Sequence, residues 1–312
     1  MYDLQQPSIN FFNASLSLHR LIGKAISQLY DQNLGYDDLL SEPESIPRII
    51  GMDQEMDNWR SALTSELAVV WSHDLPASGS YHDRTLGRFR VMLTLRFHNL
   101  SILVHRPLLC KALDQLSKST GDAVISMVSE MTNRSISICL RSAEETIDIV
   151  HGVVIDPDRS WPMLGAWWFT VYYLFNAALV VFSNALIQRA LPSRQDASPA
   201  QNLDHLNRAI AAFRLLDRNN RVVERCTEYI EYLALVMERQ LAVKPWLQQQ
   251  QQQQQSAAGE VGQAVDALGG DVYAGLPDLN DFLKDEMELA QFFASGIFDV
   301  QNSYDGLVGG FQ

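Results

Sequence analysis

Apolar residues recur at steps of three and four along most of this chain, and that rhythm predicts helix after helix. Leu86, Phe89, Leu93, Phe97, Leu100 and Val104 mark one stripe, and Ile136, Leu140, Ala143, Ile147 and Val150 mark another. A third runs through Val222, Cys226, Tyr229, Leu233 and Val236 to Gln240, its one polar break. Stripes of this period must bury against neighbouring elements. Further helices are expected over about Phe11 to Asp31, Met52 to Trp71 and Leu203 to Leu216. Segments rich in Pro, Gly, Ser or Asp at 41–51, 76–82, 117–122, 156–160 and 191–200 read as loops. No period-two run between turn residues suggests a strand. The expected fold class is all-α, an irregular multi-helix bundle over residues 1–247.

Beyond the bundle the pattern changes twice. Lys244-Pro245-Trp246 is expected to end the last helix, and Gln248 to Gln255 is an unbroken run of eight glutamines. Residues 248–275 continue into small and acidic residues without an apolar stripe, the composition of a disordered polyglutamine linker. Residues 276–312 form an acidic-hydrophobic tail. There Asp278, Asp281, Asp285, Glu286 and Glu288 interleave with Leu279, Phe282, Leu283, Leu289, Phe292 and Phe293. Like charges keep such a segment solvated until an amphipathic helix lays its apolar side into a partner's groove. An activation tail whose apolar residues contact a coactivator is favoured over a C-terminal helix docked on its own domain.

Charge follows the same division. The chain carries 24 basic and 37 acidic residues, net −13. From Gln248 onward ten acids face one lysine, which leaves −4 for residues 1–247. A mildly acidic body is a poor match for nucleic acid, whose binding rests on Lys and Arg neutralising phosphates. Cys110, Cys139 and Cys226 are few and widely spaced, which fits buried thiols in a reducing compartment. Trp161 to Gln188 is free of charge and long enough to cross a bilayer. Polar Thr170, Asn176, Ser183 and Asn184 interrupt it, Arg159 and Arg189 flank it without clear bias, and adjacent amphipathic helices can cover it. A helix buried in protein is the expectation, with no membrane.

No phosphate loop, dinucleotide fingerprint, HExxH or GxSxG pattern occurs, so no catalytic residue is assigned and a non-enzyme is expected. Asp37-Asp38 beside Gly35 reads as a turn or helix cap. His98 and His105, seven residues apart, share one helix face, but a metal needs more convergent ligands than two, so no metal site is assigned. They lie in Arg96 to Leu109, RFHNLSILVHRPLL, an apolar helix expected to stop or kink before Pro107. Arg106 is expected to bond the carbonyls that break releases.

That phrase resembles a signature of the regulatory middle region of fungal binuclear zinc-cluster transcription factors. An aromatic-His pair there runs through apolar residues into a His-Arg-Pro ending, matched by Phe97, His98, Ile102, Leu103, Val104, His105, Arg106, Pro107, Leu108 and Leu109. Ser8 to Gly35, with its Leu29-Tyr30 pair, resembles a preceding helix. Cys139, Ala143 and Ile147 resemble the helix that follows, and Trp161-Pro162 a late core helix. The resemblance covers about residues 8–242. It implies that residues 1–247 are a regulatory domain missing its N-terminal part, that the protein is nuclear, and that it regulates transcription by RNA polymerase II. Phe97, His98, His105, Arg106 and Pro107 would be structural or linked to a small-molecule effector. The six-cysteine DNA-reading cluster is absent, so no cofactor is expected in this chain. Zinc belongs to that absent cluster, and DNA is reached through it or through a partner. The alternative is a helical small-molecule-binding protein or enzyme with an aromatic-lined cavity.

Overall fold

The computed structural model describes residues 5–30, 42–76, 80–118, 130–156, 161–190, 198–216 and 220–256. Seven helices account for most of them: α1 (Gln5–Leu29), α2 (Glu42–Ser61), α3 (Tyr81–Lys118), α4 (Glu130–Ile155), α5 (Trp167–Ala190), α6 (Pro199–Leu216) and α7 (Arg221–Ser256). Short 3-10 turns at Ser65–Leu67, Ser72–Asp74 and Trp161–Leu164 join them, and no strand occurs among the described residues. The all-α expectation holds.

α3 is the axis of the bundle. Every residue from Leu93 to His105 is buried, which requires neighbours on all sides. α1 and α2 cover one side through Leu18, Ala25, Ile49, Met52, Met56 and Trp59, which pack on Leu93, Phe97, Leu100 and Val104. α4 and α5 cover the other. The α4 stripe Ile136, Leu140, Ala143, Ile147 and Val150 is wholly interior, as its period requires. α5 is long and apolar enough to cross a membrane, with mean hydropathy 1.6. Yet 61% of that window is buried, and α3, α4 and α6 all pack on it, so its neighbours supply its apolar surroundings.

Several boundaries differ from the sequence reading. The expected loop 41–51 is largely the start of α2, which passes through Pro47 because Ile49, Met52, Met56 and Trp59 keep a helical stripe inward. From Ala62 to Trp71, expected as the end of that helix, the chain runs through a 3-10 turn at Ser65–Leu67 instead, and a second follows at Ser72–Asp74. α6 starts at Pro199, four residues early, because Ser198 and Gln201 form a capping box: the Ser198 amide donates to Gln201 Oε1 at 2.6 Å and the Gln201 amide to Ser198 Oγ at 3.2 Å. α3 does not end at Pro107 but continues to Lys118.

The chain divides into units of residues 1–239 and 240–312. Of the second, the described part is helical backbone to Ser256. Helix therefore persists past Pro245 and through the glutamines, where a stop and linker were expected. Glutamine is a good helix former, and the run holds no glycine or β-branched residue to oppose it. Asp37-Asp38 and the whole acidic tail, Leu279, Phe282, Leu283, Leu289, Phe292 and Phe293 included, lie outside the described residues.

Candidate functional site

The motif residues of α3 fasten the bundle at three levels. Phe97 stacks on Trp59 of α2, with centroids 5.7 Å apart and planes at 14°. Trp59 in turn donates its indole N–H to the Ala14 carbonyl and to Ser17 Oγ, both at 3.1 Å, which ties in α1. One ring thus joins three helices.

His98 points elsewhere. Its ring lies 6.3 Å from that of Trp71 and edge-on to Phe97 at 5.8 Å. Neither ring nitrogen has a hydrogen-bond partner among the described residues. Burial, reinforced by Arg141 and Arg60, holds its pKa down at about 4. His98 is therefore a neutral, apolar-packed imidazole at physiological pH. His105 is also buried, its Nε2 3.0 Å from Asp53 Oδ1 of α2 but outside hydrogen-bonding geometry. The two histidines meet different neighbours, and no three His, Cys, Asp or Glu side chains among the described residues converge as a metal would need.

Pro107 lacks an N–H, so the carbonyl of Leu103, four residues back, loses its helical donor. The sequence reading assigned such a carbonyl to Arg106. The structure corrects this: the Tyr30 hydroxyl donates to the Leu103 carbonyl at 2.6 Å. Burial pushes the Tyr30 pKa up to about 12, which keeps that proton in place. Arg106 instead lays its guanidinium 5.3 Å from the Tyr30 ring centroid and donates to Asn176 Oδ1 of α5 at 3.3 Å. Tyr30 is thus the partner of the proline break. The Leu29-Tyr30 pair marked it in the sequence without revealing what it met.

Hollows occur elsewhere among the described residues. One, of about 70 Å³ between α3 and α5, is lined by Met92, Leu95, Arg96, Leu164, Ala166, Phe169 and Tyr173. It is aromatic-lined, yet far below the few hundred Å³ that an ordinary organic ligand fills. Another, a groove of about 350 Å³ between α6 and α7, is floored by Phe213 and Val223 and rimmed by Glu224, Glu228 and Glu231. It contains none of the motif residues. The thiols offer no activated nucleophile: burial pushes the pKa of both Cys139 and Cys226 up to about 12.

No family model matches this chain, and no solved structure matches it. Characterised relatives do. The chain is 30% identical over 294 residues to transcription factor FBD3 of Fusarium pseudograminearum, an alignment covering 93% of this chain and 37% of that protein. The FBD3 of Gibberella moniliformis is 29% identical with the same coverage. The sorbicillinoid biosynthetic cluster transcription factor sor3 of Hypocrea jecorina is 24% identical over 208 residues, 64% of this chain and 29% of that protein. The chain spans a little over a third of the length of the first two relatives, 37% of each. Over nearly its whole length, this chain resembles fungal transcription factors.

Proposed function

We propose that this chain is the regulatory and activating portion of a fungal zinc-cluster-type transcription factor, acting in the nucleus on transcription by RNA polymerase II. The alignment with two proteins named as transcription factors, over 93% of the chain, carries this reading. The helical body, residues 1–247, restrains or relays a signal, including that of a small-molecule effector. The tail, residues 276–312, contacts coactivators through Leu279, Phe282, Leu283, Leu289, Phe292 and Phe293. DNA is reached through a zinc cluster outside this chain or through a partner. The three cysteines here do not fit zinc, since no ligand group of three forms among the described residues. The protein acts by binding rather than by catalysis.

A fusion of residues 256–312 to an unrelated DNA-binding domain tests the reading. It should activate a reporter. Burying a Phe or Leu is worth roughly 1.5–3 kcal/mol, and an exposed ion pair at most about 1 kcal/mol. Phe282→Ala with Leu283→Ala should therefore weaken the reporter more than Asp281→Asn with Asp285→Asn. A silent fusion that is stably expressed in the nucleus removes the activation tail from the proposal.

A further inference from the structure

We propose that the cavity between α3, the Trp161–Leu164 turn and α5 binds a small monocarboxylate, with Arg96 as its charge partner. Arg96 is only 9% exposed. Its guanidinium brings a positive charge into the interior. A buried charge is ordinarily paired. Arg96 has no Asp or Glu at ion-pair distance among the described residues. Its Nη1 donates to Ser15 Oγ at 2.9 Å, its guanidinium carbon stands 5.9 Å from the Phe11 ring centroid, and Tyr173 and His19, neither of them an anion, are further polar neighbours. The Tyr173 hydroxyl cannot serve as a counter-ion, because burial pushes its pKa up to about 12. The chain's carboxylates go instead to better exposed cations: Asp148 and Asp204 to Arg208, and Glu231 to Arg214.

The rest of the cavity selects the class of anion. Met92, Leu95, Leu164 and Phe169 make most of the wall apolar. Gly165, at φ +81°, turns the chain so that Leu164 and Ala166 both line it, a conformation other residues rarely adopt. α5 begins at Trp167, next to Ala166, so the positive end of its dipole lies at the same wall. A volume of about 70 Å³, at roughly 30 Å³ per water, is the space of two or three waters. That limits the anion to a carboxylate with two or three carbons. Inorganic anions share the charge but leave the apolar wall uncovered.

This deepens the proposed relay of an effector and rests on that reading only for its consequence. Binding is measured without transcription, so a silent tail fusion and a chain that binds nothing are separate failures. Thermal melts and calorimetric titrations of the full chain would compare propionate with propionamide, chloride and phosphate at matched ionic strength. Propionate should raise Tm with dose, and the other three should not. Arg96→Met should weaken propionate binding by about 10- to 100-fold, the worth of a charge-assisted hydrogen bond. Ala166→Leu, which fills the cavity and leaves Arg96 in place, should abolish it. Equal shifts from propionamide or chloride, no response to propionate, or unchanged affinity in Arg96→Met would overturn the proposal. Should either variant fail to fold, the propionate–propionamide comparison on the unaltered chain decides alone.

Discussion

Tyr30 and Pro107 are two halves of one device, a missing donor and its replacement. Tyr30→Phe should cost about 1–3 kcal/mol, because it leaves the Leu103 carbonyl buried and unpaired. In a Pro107→Ala background the helix regains its own N–H at that position, so the same substitution should cost much less. Urea unfolding of the four proteins measures that coupling, and equal costs in both backgrounds would show that the hydroxyl does not serve the proline break. His98 makes a second residue-scale prediction. Unfolded, it takes up a proton near pH 6.5; folded, it refuses one until about pH 4. Stability should therefore be full above the first value and fall by up to about 3 kcal/mol as pH drops through the interval. His98→Leu should flatten that decline without lowering Tm near neutrality, since neither ring nitrogen has a partner among the described residues. At this scale the sequence was half legible. The aromatic-His and His-Arg-Pro residues stood out as a phrase, but Tyr30 lies 73 positions from Leu103. Spacing along one helix says nothing of a bond that closes between two.

Helix existence was legible from the period of apolar residues; helix limits were decided by side chains that the period ignores. Ser80 and Asp83 start α3 by exchanging hydrogen bonds of 3.0 and 3.2 Å, as Ser198 and Gln201 start α6. Both are S-x-x-acid or S-x-x-amide patterns visible in the sequence, where the same Ser and Pro residues also favour loops. Contacts between elements were not legible at all. Leu75 and Pro76 press on glycines of two helices: a Cβ on Gly87 would lie 2.8 Å from Pro76 Cβ, and one on Gly152 would lie 2.8 Å from Leu75 Cδ1. A leucine methyl can swing away and a proline ring cannot. Gly152→Ala should be near neutral or gain up to about 1 kcal/mol of helix propensity, while Gly87→Ala should lose about 1–3 kcal/mol. Thermal melts that fail to separate the pair would refute this. The α4–α6 seam adds a pH dependence. Burial alone would lower the pKa of His205, but Asp148 and Glu144 outweigh it and hold it above 6.5. Burial alone would raise the pKa of Asp148, but His205 and Arg208 outweigh it and hold it below 3.8. The His205 contribution is then complete below pH 6.5 and fades as pH rises through its raised value. That of Asp148 is complete above pH 3.8 and fades as pH falls through its lowered value. Asp148→Asn should accordingly lower Tm more near about pH 6 than near about pH 9.

For the whole molecule, charge and pattern together set what the chain can do alone. Net −13 and no cysteine-rich or basic reading helix leave little to hold phosphates. The purified chain should show no sequence-selective retention in a mobility-shift assay at low or moderate salt. Such retention would show that the chain carries a DNA-binding face of its own. The all-α class was readable because helical period is local. The depth of α5 was readable only by inference, since a membrane span and a core helix share one composition. The cavity beside Arg96 was not readable, because it depends on where three separated segments come to rest.

The helical backbone of α7 through eight identical residues changes what that run would do if its length varied. In a random coil, a ninth glutamine would lengthen a spacer imperceptibly and leave its direction undefined. In a helix it would advance the far end by about 1.5 Å and turn it by roughly 100°. Glutamine number would then work as a rotary setting with a period of about 3.6 residues. Two additions would aim the following segment nearly opposite to its starting direction, and seven would nearly restore it.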